Sequence, residues 1–137
     1  MLEVIASARK QIRVAAYSFT EPSIGKALMD AKRRGVDVAV VLDKDHNGRR
    51  SGPSLADALA ANDVPVRVTS AFAIMHNKFM VVDGGMVETG SFNYSRAAEK
   101  SNAENVLAIG GCPEIAKTYL VVWKNVWDTG VDLKARY

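Results

Sequence analysis

Gln11-Ile12-Arg13-Val14-Ala15-Ala16-Tyr17-Ser18-Phe19, followed at once by Thr20-Glu21-Pro22, decides the fold. The first nine residues are rich in Val, Ile, Ala and Tyr and predict a buried strand. The next three predict a helix start: Thr20 can cap, Glu21 suits the positive end of a helix, and Pro22 fits the first turn. Ile24, Leu28 and Ala31 then recur with helical spacing, and Gly35 marks a stop. Val36 to Leu42 is a second apolar run. Strand, helix and strand in that order predict parallel strands joined by a right-handed crossover.

Working outward, Leu2 to Lys10 fits a short helix ahead of the first strand, with Leu2, Ile5 and Ala6 on one face. Asp43 to Gly52 is polar and Gly-bearing, which predicts a loop. A short helix over Pro53 to Ala61 and a strand over Val64 to Val68 follow. Lys78 to Val82 and Met86 to Thr89 read as a hairpin around Asp83-Gly84-Gly85. Asn105 to Ile109 is one more strand. Pro113 opens a last helix ended by Gly130, with Ile115, Tyr119, Val122 and Val126 on one face and Trp123 and Trp127 flanking it in core or interface. The alternation predicts an α/β fold, an α-β-α sandwich with a mixed sheet, in one domain over residues 1–137.

Composition narrows the class. The chain has 137 residues, 48% of them hydrophobic, which supports a core. No apolar run approaches the ~18 residues of a membrane span. The net charge is +3 and the pI about 9.1, a mild preference for anionic partners. The cluster Lys32-Arg33-Arg34 reads as solvated helix surface. Cys112 is the only cysteine, which excludes an intramolecular disulfide and a multi-cysteine zinc site. It reads as a small buried residue. No signal peptide is visible, since Glu3 sits early and no basic segment precedes an apolar one.

The chemistry concentrates in His76-Asn77-Lys78-Phe79-Met80-Val81-Val82-Asp83 and Gly90-Ser91-Phe92-Asn93. Side chains alternate along a strand, so His76 and Lys78 point the same way, roughly 7 Å apart. Cleaving a phosphodiester requires a nucleophile, neutralisation of the oxygens and a proton for the leaving group. A neutral His76 can attack. Lys78 is a compact cation for a phosphate oxygen. Ser91 and Asn93 offer neutral donors from a turn where Gly90 permits close backbone approach. Glu104 can fix the tautomer of an imidazole. Taken singly, each has a structural reading: Lys78 a solvated strand end, Asn93 a turn residue, Ser91 a cap for Tyr94 to Ala98, Glu104 a surface acid. His46 reads as solvated, and Asp83 as a hairpin residue.

The joint pattern His-x-Lys-x4-Asp-x6-Gly-Ser-x-Asn is complete and resembles the phospholipase D superfamily, the "HKD" phosphodiesterases. Ala16 to Thr20, Ala31 to Val38, Glu88 to Asn93 and Asn102 to Asn105 extend the likeness to the small single-motif bacterial endonucleases of that superfamily. The resemblance implies a phospholipase D-like fold and no metal or other cofactor. It implies a covalent phosphohistidine, with His76 as nucleophile or general acid and Lys78 and Asn93 as phosphate ligands. Ser91 becomes a supporting donor, Glu104 the acid that orients the histidine, and Asp83 a residue away from the substrate. The small relatives carry an edge strand ahead of the first helix; this chain, beginning at Met1-Leu2, is expected either to be trimmed there or to lack that strand. They are often periplasmic, although the compartment of this chain is left open.

One motif is present where the chemistry needs two, so a homodimer with the site on its two-fold axis is expected. The expected activity is metal-independent cleavage of nucleic acid, DNA first, with Lys44, Arg49 and Arg50 tracking the backbone from a loop. Two alternatives stay open: a phospholipid phosphodiesterase whose entry surface is Phe72, Ile74 and Met75, and a nucleic-acid-binding module without turnover.

Overall fold

The computed structural model describes residues 1–47 and 54–134. The elements are α1 (Leu2–Ser7), β1 (Gln11–Ala16), α2 (Pro22–Arg33), β2 (Asp37–Asp43), α3 (Lys44–Asn47), α4 (Leu55–Ala61), β3 (Val66–Thr69), β4 (Lys78–Val82), β5 (Met86–Gly90), α5 (Arg96–Lys100), β6 (Val106–Ile109), α6 (Pro113–Asp128) and β7 (Val131–Asp132). The strands form a mixed sheet in the order β6-β5-β4-β1-β2-β3-β7. As the strand-helix-strand pattern predicts, β1 and β2 are parallel, with Val14 opposite Val40. β4 runs antiparallel to β1, placing Met80 opposite Val14 and Lys78 opposite Ala16.

Alternation along these strands makes two cores. Val14, Val38, Val40, Leu42 and Met80 point to one face, where Ile5 of α1, Ile24 and Leu28 of α2 and Leu59 of α4 cover them. Ala15, Ala39, Val41, Phe79, Val81 and Val87 point to the other, against Trp123 and Val126 of α6. The result is an α-β-α sandwich, each face sealed by apolar burial.

Several local expectations are corrected by packing and hydrogen bonding. α2 is capped by Glu21, whose carboxylate accepts from Ser23 N at 3.2 Å, while Thr20 Oγ1 accepts from Arg96 N. Asp43 belongs to β2 and Lys44 to the helical turn α3, not to a loop; Arg49 and Arg50 lie outside the described residues. The buried stripe of α6 is Ala116, Trp123 and Val126. Ile115 and Val122 face solvent, because Trp123 turns inward and its indole N–H donates to the Val14 carbonyl at 2.9 Å. The cap before Ala98 is Ser95, not Ser91. The two-residue strand β7, pairing with β3, carries too short a pattern to be read in advance.

Asp83, in the hairpin with φ 52°, accepts the backbone N–H groups of Arg9, Lys10 and Gln11 at 3.0, 2.7 and 2.9 Å. Desolvation raises its carboxyl pKa, but those hydrogen bonds outweigh it and hold the group below the ordinary value. They also end α1 at Ser7 rather than Lys10, because the backbone of residues 9–11 is drawn to the hairpin.

A second carboxylate is buried with no salt bridge among the described residues. Glu88 of β5 is 1% exposed. The Tyr94 hydroxyl donates to its Oε2, and its Oε1 has no hydrogen-bond partner. Burial pushes its pKa up to about 7, against the Tyr94 hydrogen bond, which lowers it.

Candidate active site

The motif residues come from separate segments that the sheet brings to one end. Strand pairing aligns the start of β4 with the end of β1 and the end of β5 with the start of β6. That end holds the carboxyl termini of the parallel strands, where open α/β sheets bind ligands. His76 lies just before β4 and is exposed; Lys78, the first residue of β4, is half-buried.

Tyr17, just past β1, organises this end. His76 meets the edge of its ring at 4.8 Å between centroids. The Lys78 ammonium stands 5.6 Å from the centre of the same ring and donates to the His76 carbonyl at 2.9 Å. Partial burial pulls the Lys78 pKa below the ordinary lysine value, while the Glu104 carboxylate opposes that shift. A partly desolvated ammonium beside an exposed imidazole is a fit receptor for a phosphate oxygen.

The β5–β6 junction supplies the second half. Ser91 N donates to Asn105 O at 3.1 Å, and Asn105 N returns a bond to Ser91 Oγ at 3.0 Å. Ser91 Oγ donates to Glu104 Oε2 at 2.5 Å, and Asn102 Nδ2 donates to Glu104 Oε1 at 3.3 Å. Glu104 therefore braces Ser91. Among the described residues no hydrogen bond joins Glu104 to His76, and the orienting contact expected for it is absent within the chain. The reason is register: Gly90 lies opposite Val106, which sets Glu104 beside Ser91. Asn93 has its Oδ1 buried without a hydrogen-bond partner.

Gly90 makes this junction. A Cβ built there would lie 2.2 Å from the Asn105 carbonyl oxygen, far inside contact distance and against backbone. Gly90→Ala is expected to force β6 away and loosen Ser91 and Glu104 together. Cleavage should fall at least about tenfold, because misplacement of about 1 Å can cost roughly 10²-fold. Steady-state kinetics of the folded variant, with circular dichroism to confirm folding, would check this.

Reading the sequence missed Tyr17 and His46. The imidazole of His46 stacks on Tyr17 at 4.3 Å and 28°, so it is held rather than freely solvated. Its only local signal is a histidine three residues past the end of an apolar strand. Lys44 is exposed on the same turn, and among the described residues no contact draws it to His76.

The family described as "Cardiolipin synthase, PLD-like domain" matches residues 1–127. A phospholipase D of Rickettsia bellii is 38% identical over 119 residues, 87% of this chain and 58% of that protein. A mitochondrial cardiolipin hydrolase of Xenopus laevis is 34% identical over 131 residues, 93% of this chain and 60% of that protein. The chain thus spans less than two thirds of these curated relatives. Among solved structures, Nuc from Salmonella typhimurium, a phospholipase D family member, superposes with a TM-score of 0.94 at 43% identity, covering 98% of this chain and 88% of that one. NucT from Helicobacter pylori shares the fold, with a TM-score of 0.85 at 24% identity over 96% of this chain and 87% of its own. With His76, Lys78 and Ser91 gathered at one sheet end, and a family match across all but the last ten residues, the chain belongs to the phospholipase D-like family.

Proposed function

We propose that this chain is a metal-independent phosphodiesterase of nucleic acid, a non-specific endonuclease acting on DNA, whose active site is completed by a second copy of the chain. The observation that carries the reading is the meeting of His76 and Lys78 on Tyr17 at an open sheet end. An imidazole nitrogen of His76 attacks phosphorus, forming a P–N bond as the P–O bond to the leaving oxygen breaks. The His76 of a second copy gives that oxygen its proton. Water then attacks phosphorus, loses a proton to the second histidine and releases the first. Lys78 and Asn93 hold the phosphate oxygens, and Ser91, braced by Glu104, supports them. General acid catalysis alone contributes roughly 10²–10⁴-fold.

The pairing surface adjoins the site. β6 is an open edge strand starting just after Glu104 and Asn105. Leu107, 57% exposed, shares the α6-covered face of the sheet with Ile109, the partner of Val87. Ile115 and Val122 are exposed on α6. An apolar strip beside a half-site favours closure by an identical copy.

A phospholipid substrate is the second reading, favoured by a specific observation. Phe72 and Ile74, just ahead of His76, are 47% and 55% exposed. Met75, also expected on that surface, is buried. Assays of plasmid DNA and phospholipid vesicles, each with and without EDTA, separate the two. DNA cleavage unaffected by EDTA, with label from a phosphate-labelled oligonucleotide trapped on His76, is the expected result. Hydrolysis of lipid alone would favour the second reading, and loss of cleavage in EDTA would contradict the metal-free route.

A further inference from the structure

Two buried polar side chains are committed to holding one exposed imidazole. Asp43, 5% exposed, accepts from His46 N through Oδ1 and from Met75 N through Oδ2, both at 2.9 Å. One carboxylate thus fixes both the turn carrying His46 and the residue preceding His76. Asn47, also buried, donates to the Tyr17 and Asp43 carbonyls and accepts from Phe19 N at 3.0 Å. The turn cannot shift without breaking these bonds, so the position of His46 on Tyr17 is built in.

The His46 ring has one face on Tyr17, yet the residue remains exposed. It lines an open groove of about 600 Å³, whose other walls include Phe19, Thr20, Leu55 and Arg96. The groove's described walls are largely apolar and include the exposed guanidinium of Arg96, and Tyr17 links it to the motif by contacting both His46 and His76. Among the described residues only Tyr17 stacks on the His46 ring, which makes it an unfinished stack. Nucleobases complete such stacks whatever their identity, because every base has a π-face.

We propose that Tyr17 and His46 form a stacking platform for the nucleobase adjoining the scissile phosphate, with Arg96 taking the next phosphate, so that unpaired strands are the preferred substrate. The inference rests on the nucleic-acid reading above. In a duplex both faces of a base are already occupied by its neighbours, and the platform then has nothing to receive. In a single strand, a phosphate held by His76 and Lys78 leaves the attached nucleoside to lie across Tyr17 toward the groove.

The test compares a single-stranded oligonucleotide with a chain of equal length whose internal residues are abasic tetrahydrofuran units. Wild type, His46→Ala and His46→Phe are assayed on both. Wild type should cleave the base-bearing chain more efficiently, chiefly through a lower KM. His46→Ala should lose about tenfold of that preference, the size of one base-aromatic stack, and His46→Phe should keep it. An unchanged preference in His46→Ala, or an equal loss in His46→Phe, overturns the platform. Equal cleavage of both chains by wild type also overturns the platform alone. Cleavage of neither chain overturns the nucleic-acid reading on which it rests.

Discussion

His76→Ala is expected to reduce phosphodiester cleavage by roughly 10⁴-fold or more, because in the proposed mechanism it removes the nucleophile and the leaving-group acid together. In a site shared by two copies the single substitution deletes both groups. Mixing gives a sharper result than the variant alone. When wild-type and His76→Ala chains are unfolded together and refolded, the remaining activity should follow the square of the wild-type fraction. Only a pair with two intact histidines can both attack and protonate. Activity that falls linearly with that fraction would show that one His76 suffices and would remove the reason for pairing. Analytical ultracentrifugation on the same samples shows whether the copies associate.

Glu88→Gln should raise stability by about 3 kcal/mol at pH 8 and leave it nearly unchanged at pH 4, as one pKa unit corresponds to about 1.4 kcal/mol. The sign follows from proton binding. Unfolded, Glu88 has its ordinary value of 4.5; folded, burial lifts it to about 7. Between those values the folded chain keeps a proton that the unfolded chain has released. Stability from this group is therefore fully present below 4.5, declines as pH rises through 7, and is level above that. Glutamine keeps an acceptor for Tyr94 and cannot ionise, so it removes the decline. Urea midpoints for both proteins at several pH values give the difference curve. A difference that does not change with pH would mean that Glu88 titrates alike in the folded and unfolded chain, so that burial does not lift its pKa.

The sheet was legible because its strands are dense in Val and Ile, and because Pro22 and Gly35 bracket α2 at the positions helix ends require. The motif was legible because its spacing binds six residues into one pattern. What escaped depends on contacts between distant segments. Glu104 was expected on His76, but the pairing of Gly90 with Val106 sets it on Ser91, and register is invisible in a residue pattern. His46 was read as solvated because its neighbours are polar. Its partner Tyr17 lies beyond the whole of α2 and β2, and only the parallel pairing of β1 and β2 brings the two together. On α6, Tyr119 and Val126 face the core as read, but Ile115 and Val122 do not, because a tryptophan N–H found a strand carbonyl, a preference that apolar periodicity does not carry.

The stacked pair Trp123 and Trp127 comprises every tryptophan of the chain, and both belong to α6. Arg13 lies over one ring and Arg67 over the other. Intrinsic fluorescence therefore reports a single layer of the sandwich. An emission change during unfolding would time the departure of α6 from the sheet. The opposite layer, built by α1, α2 and α4, would come apart without a tryptophan signal of its own.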